Sequence, residues 1–160
     1  MLDLVTKNPG IRFNEIMRLS NIRNGTLTHY VKKLLEEDSI KLERTPRVTR
    51  LYPRNIPKES AKICKFLTMN SQKEIILFLL NHKIATAIQI REHVNKSPSV
   101  ISVNLNVLFK AKMINKKYDI PSNKYSLVNP KFIQQVVNTH FPLFLKILDY
   151  DTIRSFISTR

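Results

Sequence analysis

Residues 43–53 read ERTPRVTRLYP: three arginines with two threonines, two prolines and a single acid. Arg44, Arg47 and Arg50 carry planar cations suited to phosphate and to a narrow, negative groove. The stretch joins two strand-like runs, 40–43 and 49–52, so a tight turn would place Pro46-Arg47 at its tip. A surface hairpin folds without such charge, so the charge points to an anionic partner. A second set lies upstream in NGTLTHYVKKLL, residues 24–35. Leu27, Val31, Leu34 and Leu35 fall at i, i+4, i+7 and i+8, the buried stripe of a helix. Asn24, Gly25, Thr26, Thr28, His29, Lys32 and Lys33 then face outward. Amide, hydroxyl and imidazole groups can meet base edges or phosphates, whereas Lys32 and Lys33, a turn later, suit phosphate. Tyr30 is expected to pack partly against the hairpin. An ordinary solvated helix face is the bland alternative, and the adjacent arginines weigh against it. Arg12 and Arg23 precede helices, where arginine opposes the helix dipole and makes more sense beside phosphates. Gly25 either serves a turn or lets backbone approach a phosphate at a helix N-terminus.

The whole chain shares this bias. Its 160 residues hold 27 Lys and Arg against 12 Asp and Glu, a net charge of +15. That balance implies a polyanion, nucleic acid ahead of an anionic membrane surface. No stretch approaches the ~20 apolar residues of a membrane span, and MLDLVTKNPG lacks the plan of a signal peptide. Cys64 is the single cysteine, which excludes an internal disulfide framework and cysteine-rich zinc fingers. His29, His82, His93 and His140 lack metal-ligand spacing. No glycine-rich phosphate loop, carboxylate pair or recognisable nucleophile supports an enzyme, and no cofactor or metal is expected. The chain reads as cytoplasmic and nucleoid-associated.

Sliding residues 2–52 by 74 positions overlays the apolar pattern without a gap: Ile16 meets Ile90, Leu27 meets Ile101, Val31 meets Leu105 and Ile40 meets Ile114. Each copy predicts a helix (1–7; 72–83), a second helix (13–19; 87–94), a third from Asn24 or Pro98, and two short strands joined by 45–48 or 120–123. Asn8-Pro9-Gly10 ends the first helix. Ser71–Glu74 and Thr86–Gln89 are capping-box patterns, and Ser97 caps a helix opened by Pro98. This order is the winged helix-turn-helix, with ERTPRVTRLYP as the wing. The fold class is therefore mainly α with small β-hairpin wings: tandem winged units plus a C-terminal helical tail. The expected domains are 1–56, reading DNA; a helical linker, 57–70; a second winged unit, 71–129; and 130–160.

The runs NPGIRFNEI, NGTLTHYVKKL and IKLERTPRVTRLYP resemble archaeal winged-helix transcriptional regulators related to the MarR-like and ArsR-like groups. The resemblance covers about residues 8–54, and the rest matches only in pattern. It implies transcriptional control through a DNA operator, usually as a dimer. One departure is that Met1 begins almost inside the first helix, which should then borrow packing from elsewhere.

The 74-residue register also exposes a difference. Thr26, His29 and Lys33 correspond to Val100, Val103 and Val107, whereas Thr28 becomes Ser102. Three valines on one helix face read DNA poorly and suit an interface with the tail, a partner subunit or the linker. The tail is apolar beyond the needs of one helix, and Pro142 should divide it. Phe132, Val136, Phe141, Phe144 and Leu148 are favoured as a homodimer seam over a tail that folds back. The leading functional expectation is a sequence-specific regulator on double-stranded DNA. The alternative is a tandem winged-helix adaptor of the transcription machinery, or a chromatin-associated protein with mainly non-specific binding.

Overall fold

A computed structural model of the chain describes residues 1–142. Two compact units appear. The first comprises Met1–Lys65 with the described residues from Gln135 onward, and the second comprises Phe66–Gln134. The first unit runs α1 (Leu2–Lys7), β1 (Ile11–Arg12), α2 (Phe13–Ser20), α3 (Asn24–Glu36), β2 (Ile40–Arg44) and β3 (Thr49–Pro53). The second repeats the order as α5 (Asn70–His82), β4 (Ile84–Thr86), α6 (Ala87–Val94), α7 (Pro98–Lys110), β5 (Ile114–Lys117) and β6 (Lys124–Leu127). Helices α4 (Lys58–Leu67) and α8 (Pro130–His140) lie at the unit boundaries in the chain. No described helix is long and apolar enough to cross a membrane.

The two units correspond closely along the chain. Helices α3 and α7 begin at Asn24 and Pro98 and end at Glu36 and Lys110, both pairs 74 apart. Each sheet is antiparallel with its last strand in the middle, β1-β3-β2 and β4-β6-β5. Ile11 pairs with Leu51 and Ile40 with Pro53; at the same offset Ala85 pairs with Tyr125 and Ile114 with Leu127. The positive-φ residues repeat as well: Asn21 and Asn95 (φ 54 and 55) end α2 and α6, and Asp38 and Lys112 (φ 55 and 59) follow α3 and α7. After α3, Ser39 N–H donates to Leu34 O and Asp38 N–H to Leu35 O. Met113 to Leu108 and Lys112 to Phe109 repeat this after α7. Both are Schellman closures, in which a left-handed residue lets the chain double back and satisfy helix-end carbonyls. The winged helix-turn-helix is thus built twice.

In the first unit Val5, Ile11, Ile16, Leu27, Val31, Ile40 and Leu51 form one core, flanked by Met1, Leu4, Phe13, Met17, Ile22, Leu34 and Leu42. Truncating a residue such as Leu27 to alanine would cost about 2–5 kcal/mol, because a cavity adds to the lost burial. The short α1 places Val5 in that core and lies against β3. In the second unit Ile90, Ile101, Leu105, Leu108 and Ile114 take the matching buried places.

Several expectations change. The sheets have three strands, because two residues (β1) and three (β4) pair with the central strand; elements this short carry no period-2 signal. Helix α5 starts at Asn70 with Met69 as N-cap, so Ser71 already lies inside the first turn and its capping box is not used. The Thr86–Gln89 box is formed at both hydrogen bonds, and Ser97 accepts from Val100 N–H. Leu35 is exposed, since the stripe set by Leu27 and Val31 has turned away from it by a third turn. The second wing loop spans 118–123, beginning at Tyr118 rather than Ile120.

Candidate nucleic-acid interface

The first wing closes in a tight turn. Thr45 N–H donates to Val48 O at 2.9 Å, and Thr45 Oγ1 accepts from Val48 N–H at 3.1 Å. Pro46 and Arg47 therefore occupy the exposed tip, with Arg44 exposed at the end of β2. Two neighbouring concavities share Phe13 and Thr49 on their walls. One runs between α3 and the wing and brings together Asn24, Thr28, Lys32 and Arg44. The other runs between α2 and the wing and brings together Arg12, Arg18 and Arg47.

Spacing explains the first. Asn24, Thr28 and Lys32 lie at i, i+4 and i+8 along one edge of α3, next to Val31 and Leu35, which line the same concavity, and Leu27 and Val31 are the buried residues of the helix. Thr28 Oγ1 donates to Asn24 O at 2.8 Å, so toward solvent it offers lone pairs and a methyl group. Lys32 stands 4.0 Å from Glu36, both well exposed, and such a pair is worth well under ~1 kcal/mol and yields readily to a phosphate. Arg23, Gly25, Thr26, His29 and Lys33 are exposed on α3 or just before it, outside the two concavities. Tyr30 is also exposed; its ring centroid lies 6.3 Å from that of His29, on the helix itself.

Gly25 needs no unusual backbone. The one positive-φ glycine is Gly10, and a Cβ on Gly25 would meet nothing within 4 Å. The helix-turn-helix corner is made by Asn21 instead. No described side chain caps α3 and no acid lies in its first turn. In α7, by contrast, Ser97 occupies Val100 N–H.

Arg50 corrects the sequence reading. It is 6% exposed, and its Nη1 donates to Gly10 O at 2.9 Å. Arg50, Leu51 and Tyr52 of the middle strand are all buried, so both faces of β3 are covered here and this cation is enclosed beside β1 rather than presented on the wing. Burial, and next the charge of Arg12, lower its pKa. Arg12, its cross-strand neighbour, remains half-buried. Arg18 was missed because it reads as a plain helix-surface cation. It pairs with Glu15, and that hydrogen bond holds the Glu15 carboxyl below its usual range.

The interface candidates divide. Val100, Val103 and Val107 are exposed, Val103 to 63%, with Ile101, Leu105 and Leu108 buried behind them. Asn104 accepts from Gln72 Nε2 of α5 at 3.2 Å, and Val103 lines a groove that runs to Lys116 and Tyr125 of the wing strands. Val136 and Phe141 are buried within the single chain and Phe132 is half-buried. The α8 stripe is already covered, so those two residues are closed to a partner. Phe144 and Leu148 lie outside the described residues.

No family model matches the chain, and no curated protein matches it. Among solved structures, the transcriptional repressor BigR from Xylella fastidiosa is similar, with 20% identity, TM-score 0.46, and coverage of 52% of this chain and 86% of that one. The homodimeric winged helix-turn-helix domain of Mb0332 from Mycobacterium bovis, a possible ArsR-family regulator, shows 12% identity, TM-score 0.43 and coverage of 59% and 82%. ZitR of Lactococcus lactis, solved in complex with DNA, shows 20% identity, TM-score 0.40 and coverage of 56% and 70%.

Proposed function

We propose that the chain is a sequence-specific double-stranded DNA-binding transcriptional regulator whose first winged unit reads the operator. The observation that carries this reading is the shared concavity of Asn24, Thr28 and Lys32 with Arg44, beside Arg47 at the wing tip. Helix α3 would enter the major groove, where Asn24, Thr26 and His29 meet base edges while Lys32 and Lys33 meet phosphates. Arg47 would enter the flanking minor groove, supported by Arg44, Arg12 and Arg18 on the backbone. The uncapped first turn of α3, with Gly25 exposed on it, suits close approach to a phosphate.

The second unit would keep the fold without reading the major groove, because valine replaces its hydrogen-bonding residues. Its exposed valine face supports a homodimer, which would present two recognition helices to a two-fold operator. Selection of bound sequences from random duplexes, followed by footprinting, tests the whole. A defined and palindromic site is expected. Uniform, sequence-independent protection, or association only through polymerase, would favour the chromatin or adaptor reading instead.

A further inference from the structure

The second wing departs from the first in chemistry. At the 74-residue offset Arg44 becomes Tyr118 and Pro46 becomes Ile120. Ile120 is 95% exposed and Tyr118 76%, the two most exposed large hydrophobics among the described residues. An isoleucine held almost wholly in water at a hairpin tip contributes nothing to the core, so burial does not account for it. Its surroundings are cationic. Lys116 and Lys117 end β5 and Lys124 begins β6, forming a collar below the tip. Lys116 Nζ lies 5.1 Å from the Tyr118 ring centroid. The loop's acid, Asp119, accepts from Ile120 N–H at 2.9 Å and from Lys124 at 3.1 Å. Its charge is answered within the hairpin, and two lysines remain in excess.

We infer that the second wing is a DNA-bending wedge: Ile120 enters a minor groove and partly unstacks a base step, while Lys116 and Lys117 hold the flanking phosphates. An apolar side chain on a narrow hairpin, ringed by cations, is the chemistry by which proteins pry open a step and bend the duplex. The step entered is flexible pyrimidine–purine sequence, where deformation costs least. Val103 lines, with Ser102, Asn106 and Phe109, the groove of α7 that runs toward Lys116 and Tyr125 of the wing strands. The tip residues Tyr118 and Ile120 lie outside that groove. The inference rests on duplex DNA being the ligand, and adds a deforming activity that the reading helix does not supply.

The test uses the full chain and a roughly 30-base-pair duplex carrying TA steps, end-labelled for energy transfer and with 2-aminopurine at those steps. Wild type should shorten the end-to-end distance and raise 2-aminopurine fluorescence on binding. Ile120→Ala, at so exposed a site, should fold normally, bind within about threefold of wild type, and lose at least half of both signals. Ile120→Phe should retain them. Lys116→Ala/Lys117→Ala should reduce the log–log salt slope by about 2 for each protomer whose second wing is bound. Bound DNA with signals unchanged by Ile120→Ala overturns the wedge and leaves the regulator reading standing. So does an Ile120→Ala effect seen only on oligomer size, or only on binding to phosphatidylserine vesicles. Absence of any duplex binding by wild type overturns the regulator reading itself, and the wedge with it.

Discussion

Arg50 on β3 holds Gly10, just before β1, whose backbone C=O and N–H are both bonded to that strand. Arg50 Nη1 donates to Gly10 O at 2.9 Å, while Gly10 N–H donates to Leu51 O at 2.8 Å. The buried guanidinium thus fastens the short edge strand. Arg50→Ala should lower stability by about 1–3 kcal/mol, the range for losing a charged hydrogen bond and stranding its acceptor. Urea unfolding measures this. A wild-type midpoint combined with lost DNA binding would return Arg50 to the wing surface.

The two glycines should respond in opposite directions. Gly10 has φ +86, and a Cβ there would sit 3.1 Å from Tyr52 Cε1, so Gly10→Ala should destabilise by more than about 1 kcal/mol. Gly25→Ala, in open space on a helix, should stabilise by up to about 1 kcal/mol. If backbone approach to phosphate matters, the same change weakens DNA binding. Stability and affinity that both rise would remove that role.

Arg47→Ala should leave the unfolding midpoint within about 0.5 kcal/mol of wild type, since the residue is exposed at the wing tip. Duplex affinity should fall, most at A·T-rich flanks if the side chain lies in the minor groove. A dimer neutralising roughly six phosphates should show a log–log salt slope of about −5. An affinity indifferent to salt would contradict the electrostatic reading of the +15 charge.

Val103→Glu and His29→Ala occupy equivalent positions on α7 and α3 and should separate assembly from recognition. The first places a charge on the exposed valine face and should disturb oligomer size in light scattering. The second should change sequence preference with assembly intact. A normal, stable oligomer of Val103→Glu that has lost only DNA binding would show that α7 reads DNA.

Glu43 couples the wing base to acid stability. Its carboxylate accepts from Lys65 Nζ and Tyr52 Oη, each at 3.0 Å. Burial pushes its pKa up, but those hydrogen bonds and the charges of Lys65 and Arg50 outweigh it, leaving the group below its ordinary 4.5. The unfolded chain then binds more protons in acid. The contribution is present above about pH 4.5 and is lost as pH falls through the folded value. Between pH 6 and pH 3, Glu43→Gln should flatten the decline of the urea midpoint relative to wild type. Equal slopes would show that the pair contributes no linkage.

Much of this architecture was legible in the chain because helices are local. Leu27, Val31 and Leu34 set the phase of α3, and the same spacing 74 residues later set that of α7, so the outward valines were identifiable without coordinates. Turn chemistry was local too: Thr45–Val48 and the Thr86 box formed where their residues placed them. What tertiary structure alone decided was whatever depends on a distant partner. Strands β1 and β4 exist only because β3 and β6 accept their hydrogen bonds across some forty residues of chain. Arg50 looks identical to Arg47 in the sequence, yet a place on the middle strand and the Gly10 carbonyl bury one, while the turn leaves the other at the tip. Val136 and Phe141 have the same apolar pattern whether they pair with another subunit or with their own chain, and only folding consumed them internally. Periodicity specifies which face is apolar; what covers that face is settled by nonlocal packing.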